Sequence, residues 1–276
     1  MIHDSTPCTL GEGPLWHPGR GQLFWFDILE KRLHTKGRHW TFDHCVSAAG
    51  WVAEDKLMIA SAVGLHLFDI ETGAMETVCP MEADNPVTRS NDGRADPQGG
   101  FWIGTMAMGA DTGAGAYYRY YRGELRLIYG DWSIPNATCF APDGRTAYLC
   151  DTPKQLIHKV ALDADGWPEG DLETFVDLSA EGLNPDGSVV DADGNLWNAQ
   201  WRAHRVAVYS PQGRFLTAFG IPASQATCPA LGGPDLSALY VTSASHGLSD
   251  PLNPHHGKTF AIETGARGQR EHRVIL

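Results

Sequence analysis

A chain of 276 residues is long enough to bury a large core, and all-β architectures of this length often form one domain. Its net charge of −12 argues against a nucleic-acid or anionic-membrane partner, because phosphate binding needs a basic patch. No apolar run approaches the roughly 20 residues of a membrane-spanning helix, and the first residues lack the features of a signal peptide. Six cysteines without short paired spacing are expected to be free thiols, and the expected location is the cytoplasm.

Tight turns followed by short apolar or aromatic strands recur along the whole chain, whereas long amphipathic helical patterns are absent. Aspartate, proline and glycine dominate these turns because they tolerate or preset the required backbone angles. In chain order, the six turns are residues 17–20, 53–56, 96–99, 141–144, 191–194 and 233–236. The strands that follow them are, in the same order, residues 23–26, 57–59, 101–103, 148–149, 196–197 and 239–241.

The turns repeat with a period that identifies the architecture. Counting back five residues from each turn gives Glu12, Ala48, Asn91, Asn136, Asp186 and Cys228, with steps of 36, 43, 45, 50 and 42 residues. Short strands repeating at this spacing are typical of β-propeller blades, and a chain of this length accommodates roughly six of them. The sequence therefore predicts an all-β, six-bladed β-propeller with a central channel, formed as a single domain by residues 1–276.

The six register positions are predicted to meet at one end of the channel, where the loop entering each innermost strand opens. Four of them, Glu12, Asn91, Asn136 and Asp186, carry side-chain oxygens. Each of Asn136 and Asp186 would also suit an ordinary turn, but turn chemistry does not require the same register in four repeats. Arg89, two residues before Asn91, is expected either to face the same cavity or to form a surface ion pair.

Glu12, Asn136 and Asp186 together offer two carboxylates and one amide oxygen. An all-oxygen set suits a hard cation such as Ca²⁺, Mg²⁺ or Mn²⁺ better than a structural Zn²⁺ site. Two buried carboxylates would repel each other unless a cation compensates them. The expected cofactor is one divalent metal ion, with Ca²⁺, Mg²⁺, Mn²⁺ and Zn²⁺ left open.

Several motifs occur in order along nearly the whole chain: residues 10–16 (LGEGPLW), 89–93 (RSNDG), 101–106 (FWIGTM), 185–187 (PDG) and 232–235 (GGPD). Together they resemble the gluconolactonase/regucalcin (senescence marker protein) family, and within it the bacterial sugar lactonases. The resemblance implies a six-bladed propeller that binds one divalent metal in its channel and hydrolyses sugar lactones.

The resemblance assigns roles to individual positions. It implies that Glu12, Asn136 and Asp186 are metal ligands and that Arg89 and Asn91 contact the substrate. Some members carry a glutamate soon after the Gly-Thr-Met motif, and the matching position here is Gly109, which leaves the sugar preference open.

The mechanism that the resemblance implies is metal-assisted ester hydrolysis, in which the metal polarises the lactone carbonyl. Asp186 is the expected catalytic residue, as a general base acting on water.

Three classes of function remain at this point. The first is a sugar lactonase acting on a small-molecule lactone as a monomer or small homo-oligomer. The second is a non-enzymatic propeller, either calcium-binding or a scaffold, and the third is a related metal-dependent esterase or phosphotriesterase. Scaffold propellers bind partners on exposed rims and need no oxygen cluster in the channel, so the shared register of the four polar positions favours an enzyme.

Overall fold

A computed structural model describes residues 1–248 and 253–276. The described residues form six four-stranded antiparallel sheets, and their helical content is limited to the short 3₁₀ helices Thr152–Lys154 and Ser179–Glu181. The prediction of an all-β, six-bladed propeller is confirmed. Within the described ranges, no helix is long and apolar enough to cross a membrane.

The strands follow one another blade by blade. Strand β1 (Ile2–Asp4) precedes blade one, which contains β2 (Gly11–His17), β3 (Gln22–Asp27), β4 (Arg32–Thr35) and β5 (Arg38–Thr41). Blade two contains β6 (Val46–Ala53), β7 (Lys56–Ser61), β8 (Gly64–Asp69) and β9 (Met75–Pro80). Blade three contains β10 (Thr88–Ala95), β11 (Phe101–Ala107), β12 (Gly115–Tyr121) and β13 (Glu124–Trp132).

The second half repeats this arrangement. Blade four contains β14 (Pro135–Phe140), β15 (Thr146–Asp151), β16 (Leu156–Leu162) and β17 (Pro168–Asp177). Blade five contains β18 (Asn184–Val190), β19 (Leu196–Trp201), β20 (Arg205–Tyr209) and β21 (Phe215–Gly220). Blade six contains β22 (Gln225–Gly232), β23 (Ala238–Ala244) and β24 (Thr259–Glu263), and β1 is its outermost strand.

The two ends of the chain close the ring. Strand β1 pairs antiparallel with β24, with Ile2 opposite Phe260, so the last blade takes its outer strand from the N-terminal segment. This pairing gives hydrogen-bond partners to backbone groups on the edge of β24, which would otherwise be unpaired. The sixth blade is therefore complete only when residues from both ends of the sequence meet.

Aromatic side chains fill the spaces between neighbouring blades. Trp102 of blade three meets Phe140 of blade four edge to face, with ring centroids 5.7 Å apart. Trp40 of blade one meets Phe68 of blade two in the same way at 5.4 Å. Large aromatic rings bury much apolar area and prefer such offset contacts. All six cysteines lie in the described part of the chain, and none forms a disulfide.

The turn that follows an innermost strand is fixed by a buried aspartate in blades three and five. Asp191 accepts backbone hydrogen bonds from Asp193 and Asn195 through Oδ1, and its Oδ2 accepts from Trp197 Nε1 at 2.9 Å. Asp96 accepts in the same way from Trp102 Nε1 at 3.0 Å. These aspartates hold a turn against the second strand, so their role is structural.

The C-terminal segment crosses the end of the channel where the innermost strands finish. Gln269 Nε2 donates to the carbonyls of Phe140 and Val190, and the backbone of Ile275 donates to Gly99. Because β14 and β18 end at Phe140 and Val190, this segment covers the opening opposite the strand entrances.

Candidate active site

The five predicted site residues line one cavity at the end of the channel where the innermost strands begin. The cavity has a volume of about 290 Å³, and the polar side chains at its bottom are Glu12, Arg89, Asn91, Asn136 and Asp186. Each is at most 6% exposed. The alternative for Arg89, a surface ion pair, is therefore wrong. The roles assigned to the five residues stay predictions.

Each innermost strand is irregular where it passes the cavity. The pairing register shifts between Glu12 and Leu15, and again between Asn136 and Cys139, and blades three, five and six have the same shift at the equivalent place. Such β-bulges bend the strand and redirect side chains. Ala137, next to Asn136, has φ = 61°, an unusual angle for a residue with a side chain.

Close packing restricts which residues can follow the two carboxylates. Gly13, after Glu12, has φ = 52°, and a Cβ there would collide with the Ser47 carbonyl. A Cβ at Gly187, after Asp186, would collide with the Sγ of Cys228. Glycine is needed at both places because the neighbouring blade comes so close.

A chain of hydrogen bonds connects the polar side chains across three blades. Arg89 Nη1 donates to Asn91 Oδ1 at 2.8 Å, and Asn91 Nδ2 donates to Asn136 Oδ1 at 3.1 Å. Asn136 Nδ2 then donates to Thr152 Oγ1 at 2.9 Å, and the Thr152 hydroxyl donates to the Pro185 carbonyl at 2.7 Å. The network orients both amides, so that the oxygen of Asn136 lies on the side of Asn91.

Each carboxylate uses only one oxygen for hydrogen bonding within the described residues. Glu12 Oε2 accepts from the Gly13 backbone at 3.1 Å, and Asp186 Oδ1 accepts from the Gly187 backbone at 3.1 Å. The second oxygen of each group is left for water, a substrate or a cation.

Burial makes the site electrostatically unusual. Burial, followed by the charge of Asp92, raises the pKa of Glu12 to about 8. Burial raises the pKa of Asp186 well above its usual range, and the charges of Glu12 and Asp92 add to this effect. Arg89 is the cation whose charge lowers the pKa of both Glu12 and Asp186, and its effect is smaller than that of burial, so the protein alone does not keep both groups fully ionised.

The candidate ligand set fits a hard cation by its chemistry. Among the described residues, no group of three His, Cys, Asp or Glu side chains has the arrangement of a metal site. The two carboxylates, Glu12 and Asp186, form a set of three candidate ligands only together with the amide oxygen of Asn136. Two carboxylates and an oriented amide oxygen are donors that Ca²⁺, Mg²⁺ and Mn²⁺ accept.

Sequence reasoning missed a second ring of residues around the cavity. Leu29, Met108, Thr152, Trp201 and His246 all line it. Each lies at, or within two residues of, the C-terminal end of the second strand of its blade. Because adjacent strands are antiparallel, the end of the second strand lies beside the start of the innermost strand. The repeat register therefore places them near the cavity, although it does not show which of them face inward.

The fold and the cavity define a class: six-bladed β-propellers with a buried oxygen-lined pocket at one end of the channel. The family model of the SMP-30/Gluconolactonase/LRE-like region matches residues 10–245. This chain belongs to that family, and the resemblance seen in its motifs is confirmed.

Relatives in this family match over almost their full length. The chain is 39% identical over 273 residues to a Rhizobium meliloti protein named "Putative sugar lactone lactonase", covering 95% of this chain and 92% of that one. It is 35% identical to the L-arabinolactonase of Azospirillum brasilense, covering 95% and 91%. Among solved structures, a calcium-binding protein, regucalcin, from Agrobacterium tumefaciens superimposes with a TM-score of 0.96 at 41% identity, covering 100% and 97%.

Proposed function

We propose that this chain is a sugar lactonase that opens the lactone ring of an aldonolactone by metal-assisted hydrolysis. The observation that carries the proposal is the meeting of Glu12, Asn136 and Asp186 beside Arg89 at the bottom of one buried cavity. The proposal is supported by family membership and by relatives named for lactone hydrolysis.

Glu12, Asn136 and Asp186 would hold the metal ion. Their donor chemistry fits, and a cation would compensate the two buried carboxylates. The similar solved structure is described as a calcium-binding protein, which supports a divalent metal without fixing its identity here. When bound, a divalent cation would supply Lewis-acid polarisation of the lactone carbonyl and lower the pKa of water.

Asp186 is the proposed general base. Its Oδ2 has no hydrogen-bond donor among the described residues, so it can accept a proton from the attacking water. The water oxygen forms a bond to the carbonyl carbon, and the bond between that carbon and the ring oxygen breaks. The proton held by Asp186 can then pass to the departing ring oxygen, giving a hydroxy acid.

Arg89 and Asn91 are proposed to hold substrate oxygens. Within the described residues, Arg89 makes its hydrogen bonds, to Ser90 and Asn91, through Nη1 alone. Its Nε and Nη2 remain for a hydroxyl or carbonyl oxygen of the lactone. A guanidinium in this buried position makes strong, directional hydrogen bonds.

The decisive experiment follows acid release from a panel of aldonolactones at constant pH, using protein stripped of metal and then supplied with one cation at a time. We expect hydrolysis that disappears on stripping and returns with a divalent ion. Full activity after stripping, verified by elemental analysis, would contradict the metal mechanism. No hydrolysis of any lactone with any cation would contradict the lactonase function, leaving a binding or scaffold propeller.

The single domain predicted for residues 1–276 and the predicted monomer or small homo-oligomer belong to the same proposal. One cooperative unfolding transition and the mass measured by light scattering test them.

A further inference from the structure

The cavity is polar at its bottom and apolar at its mouth. Whereas the polar side chains at the bottom are buried, the mouth is formed by Leu29, Met108, Ile134 and Trp201, which are half-buried or exposed. Met108 is 53% exposed, so it lies at the solvent boundary. A ligand that fills this cavity therefore meets hydrogen-bonding groups at one end and apolar groups at the other.

The mouth carries little charge. In the described part of the chain, Thr152 and His246 are the polar side chains at the mouth, and Arg89 at the bottom is the one Arg or Lys that lines the cavity. A phosphate, sulfonate or carboxylate at the outer end of a substrate would therefore find no lysine or arginine there. The net charge of −12 further disfavours an anionic substituent.

The position of the reacting group fixes which end of a substrate reaches the mouth. The ligands and the proposed base lie at the bottom, so the lactone carbonyl must be there. The carbon farthest from the carbonyl then lies among Leu29, Met108, Ile134 and Trp201. A methyl group at that carbon would bury apolar area against these side chains, whereas a hydroxyl would lose that contact and find only Thr152 or His246 as a partner among the described lining residues.

Building on the lactonase function proposed above, we infer that the preferred substrates are deoxy-aldonolactones whose terminal carbon is a methyl group rather than a hydroxymethyl group. The polar side chains at the bottom of the cavity recognise the lactone carbonyl and the neighbouring hydroxyls of the substrate. The mouth selects against a polar terminus.

Two matched pairs of lactones test this inference, because the members of each pair differ by one hydroxyl on the terminal carbon. L-rhamnono-1,4-lactone is compared with L-mannono-1,4-lactone, and D-fucono-1,4-lactone with D-galactono-1,4-lactone. We expect kcat/KM to be higher for the deoxy member of whichever pair has the accepted ring stereochemistry, by about 10- to 100-fold.

A variant of the mouth connects this selectivity to the structure. Met108→Gln keeps the length of the side chain and adds an amide where the methyl terminus would lie. It should reduce the deoxy preference several-fold, chiefly by raising KM for the deoxy lactone. Met75→Gln is the matched control, because Met75 is also exposed, at 40%, but lies on the outer strand β9. It should leave the ratio unchanged.

The outcomes separate this inference from the lactonase proposal. Hydrolysis of the hydroxylated lactones at an equal or greater kcat/KM would overturn the deoxy preference while leaving the lactonase function intact. An unchanged ratio in Met108→Gln would show that the mouth does not set the preference and would overturn the inference as well. Failure to hydrolyse any lactone of the wider panel would contradict the proposed lactonase function, on which this inference rests.

Discussion

Asn91 and Asn136, 45 positions apart in the sequence, are joined by a 3.1 Å hydrogen bond from Asn91 Nδ2 to Asn136 Oδ1. The same nitrogen donates to the Pro135 carbonyl at 2.9 Å, and Arg89 donates to the oxygen of Asn91. Thr152 accepts from the amide nitrogen of Asn136. The oxygen of a proposed metal ligand is therefore positioned by side chains from blades three and four, and Arg89 lies at one end of this network.

Arg89→Ala is expected to lower kcat/KM by about 10- to 100-fold, the equivalent of the roughly 1.5–3 kcal/mol of a hydrogen bond to a charged group. Metal affinity should change much less, because Asn91 keeps its bond to Pro135 and Asn136 keeps its bond to Thr152. Steady-state kinetics and calorimetric metal titration measure the two effects. Arg126→Ala, at an exposed outer-strand position, is the control. A metal Kd that rises as much as kcat/KM falls would contradict this division of roles.

Asp186→Asn is expected to lower activity by at least about 10²-fold, the size of effect typical of losing a general base. The variant keeps one side-chain oxygen and nearly the same volume but loses the charge. The metal-free variant should also be no less stable than the metal-free wild type, because it removes a buried carboxylate whose pKa is raised by burial and by the charges of Glu12 and Asp92.

The controls for this variant are excess metal and Asp235→Asn, a substitution at an exposed turn aspartate. Excess metal should not restore activity fully if Asp186 is the base. Complete recovery at saturating metal would show that it is a ligand only. Asp235→Asn should retain wild-type activity.

The repeated part of this structure could be predicted from the sequence because equivalent residues occupy equivalent places in every blade. The register that places Glu12 and Asp186 depends only on short turns and adjacent strands. The same register also contains the second ring around the cavity, such as Met108 and Trp201, but the alternating strand pattern does not show which end residues face inward. The proximity of Asp92, whose charge raises the pKa of Glu12 and Asp186, could not be predicted either, because the bulge after Ser90 interrupts that alternation.

Closure of the ring could not be predicted in the same way. The pairing of Ile2 with Phe260 and the path of the C-terminal segment occur once each, so no repeat reveals them. Both depend on residues that meet only after the blades have assembled. Short segments with many possible partners carry little local information about which one they choose.

Gly13→Ala is expected to destabilise the protein by about 2 kcal/mol or more, because it combines a left-handed backbone angle with a collision against the Ser47 carbonyl. Ala137→Gly is the matched comparison. It relieves the strain of φ = 61° but makes the unfolded chain more flexible, so its stability should stay within about 1 kcal/mol of wild type. Urea unfolding measures both. A larger loss for Ala137→Gly than for Gly13→Ala would refute this account of the bulges.

His66 is expected to make the protein sensitive to mild acid. It is buried, with Nε2 2.8 Å from Ser61 Oγ and Nδ1 3.2 Å from Thr77 Oγ1. Burial, together with the charge of His44, lowers its pKa in the folded state. The unfolded state therefore binds the proton first, so the stability that neutral His66 provides is present above about pH 6.5 and is lost as the pH falls toward its folded pKa.

Replacing this residue isolates its effect. The free energy of unfolding of wild type, minus that of His66→Gln, should decrease between about pH 7.5 and pH 5.5. Urea titrations at the two pH values measure the difference, in which contributions from other groups cancel. A difference that is constant, or that grows in acid, would show that His66 is not the sensitive group.

The C-terminal segment is expected to stabilise the propeller through one buried ion pair. Arg94 on β10 pairs with Glu271, and the two side chains are 11% and 6% exposed. Glu271 is further held by its carbonyl, which accepts from Trp51 Nε1 at 2.9 Å. Removing one member of a buried pair leaves the other charge uncompensated and typically costs about 3–5 kcal/mol.

Glu271→Gln retains the size of the side chain and part of its hydrogen bonding, so a loss of about 3 kcal/mol, at the low end of that range, is expected. Urea unfolding of this variant is compared with that of Glu263→Gln, an exposed position at the end of β24 that should behave like wild type. Because the C-terminal segment covers the channel end opposite the cavity, kcat/KM of the folded variant should stay close to wild type. Equal stability of the two variants would show that the ion pair between Arg94 and Glu271 does not stabilise the propeller. A large fall in kcat/KM under conditions where Glu271→Gln remains folded would show that the C-terminal segment affects catalysis at the opposite end of the channel.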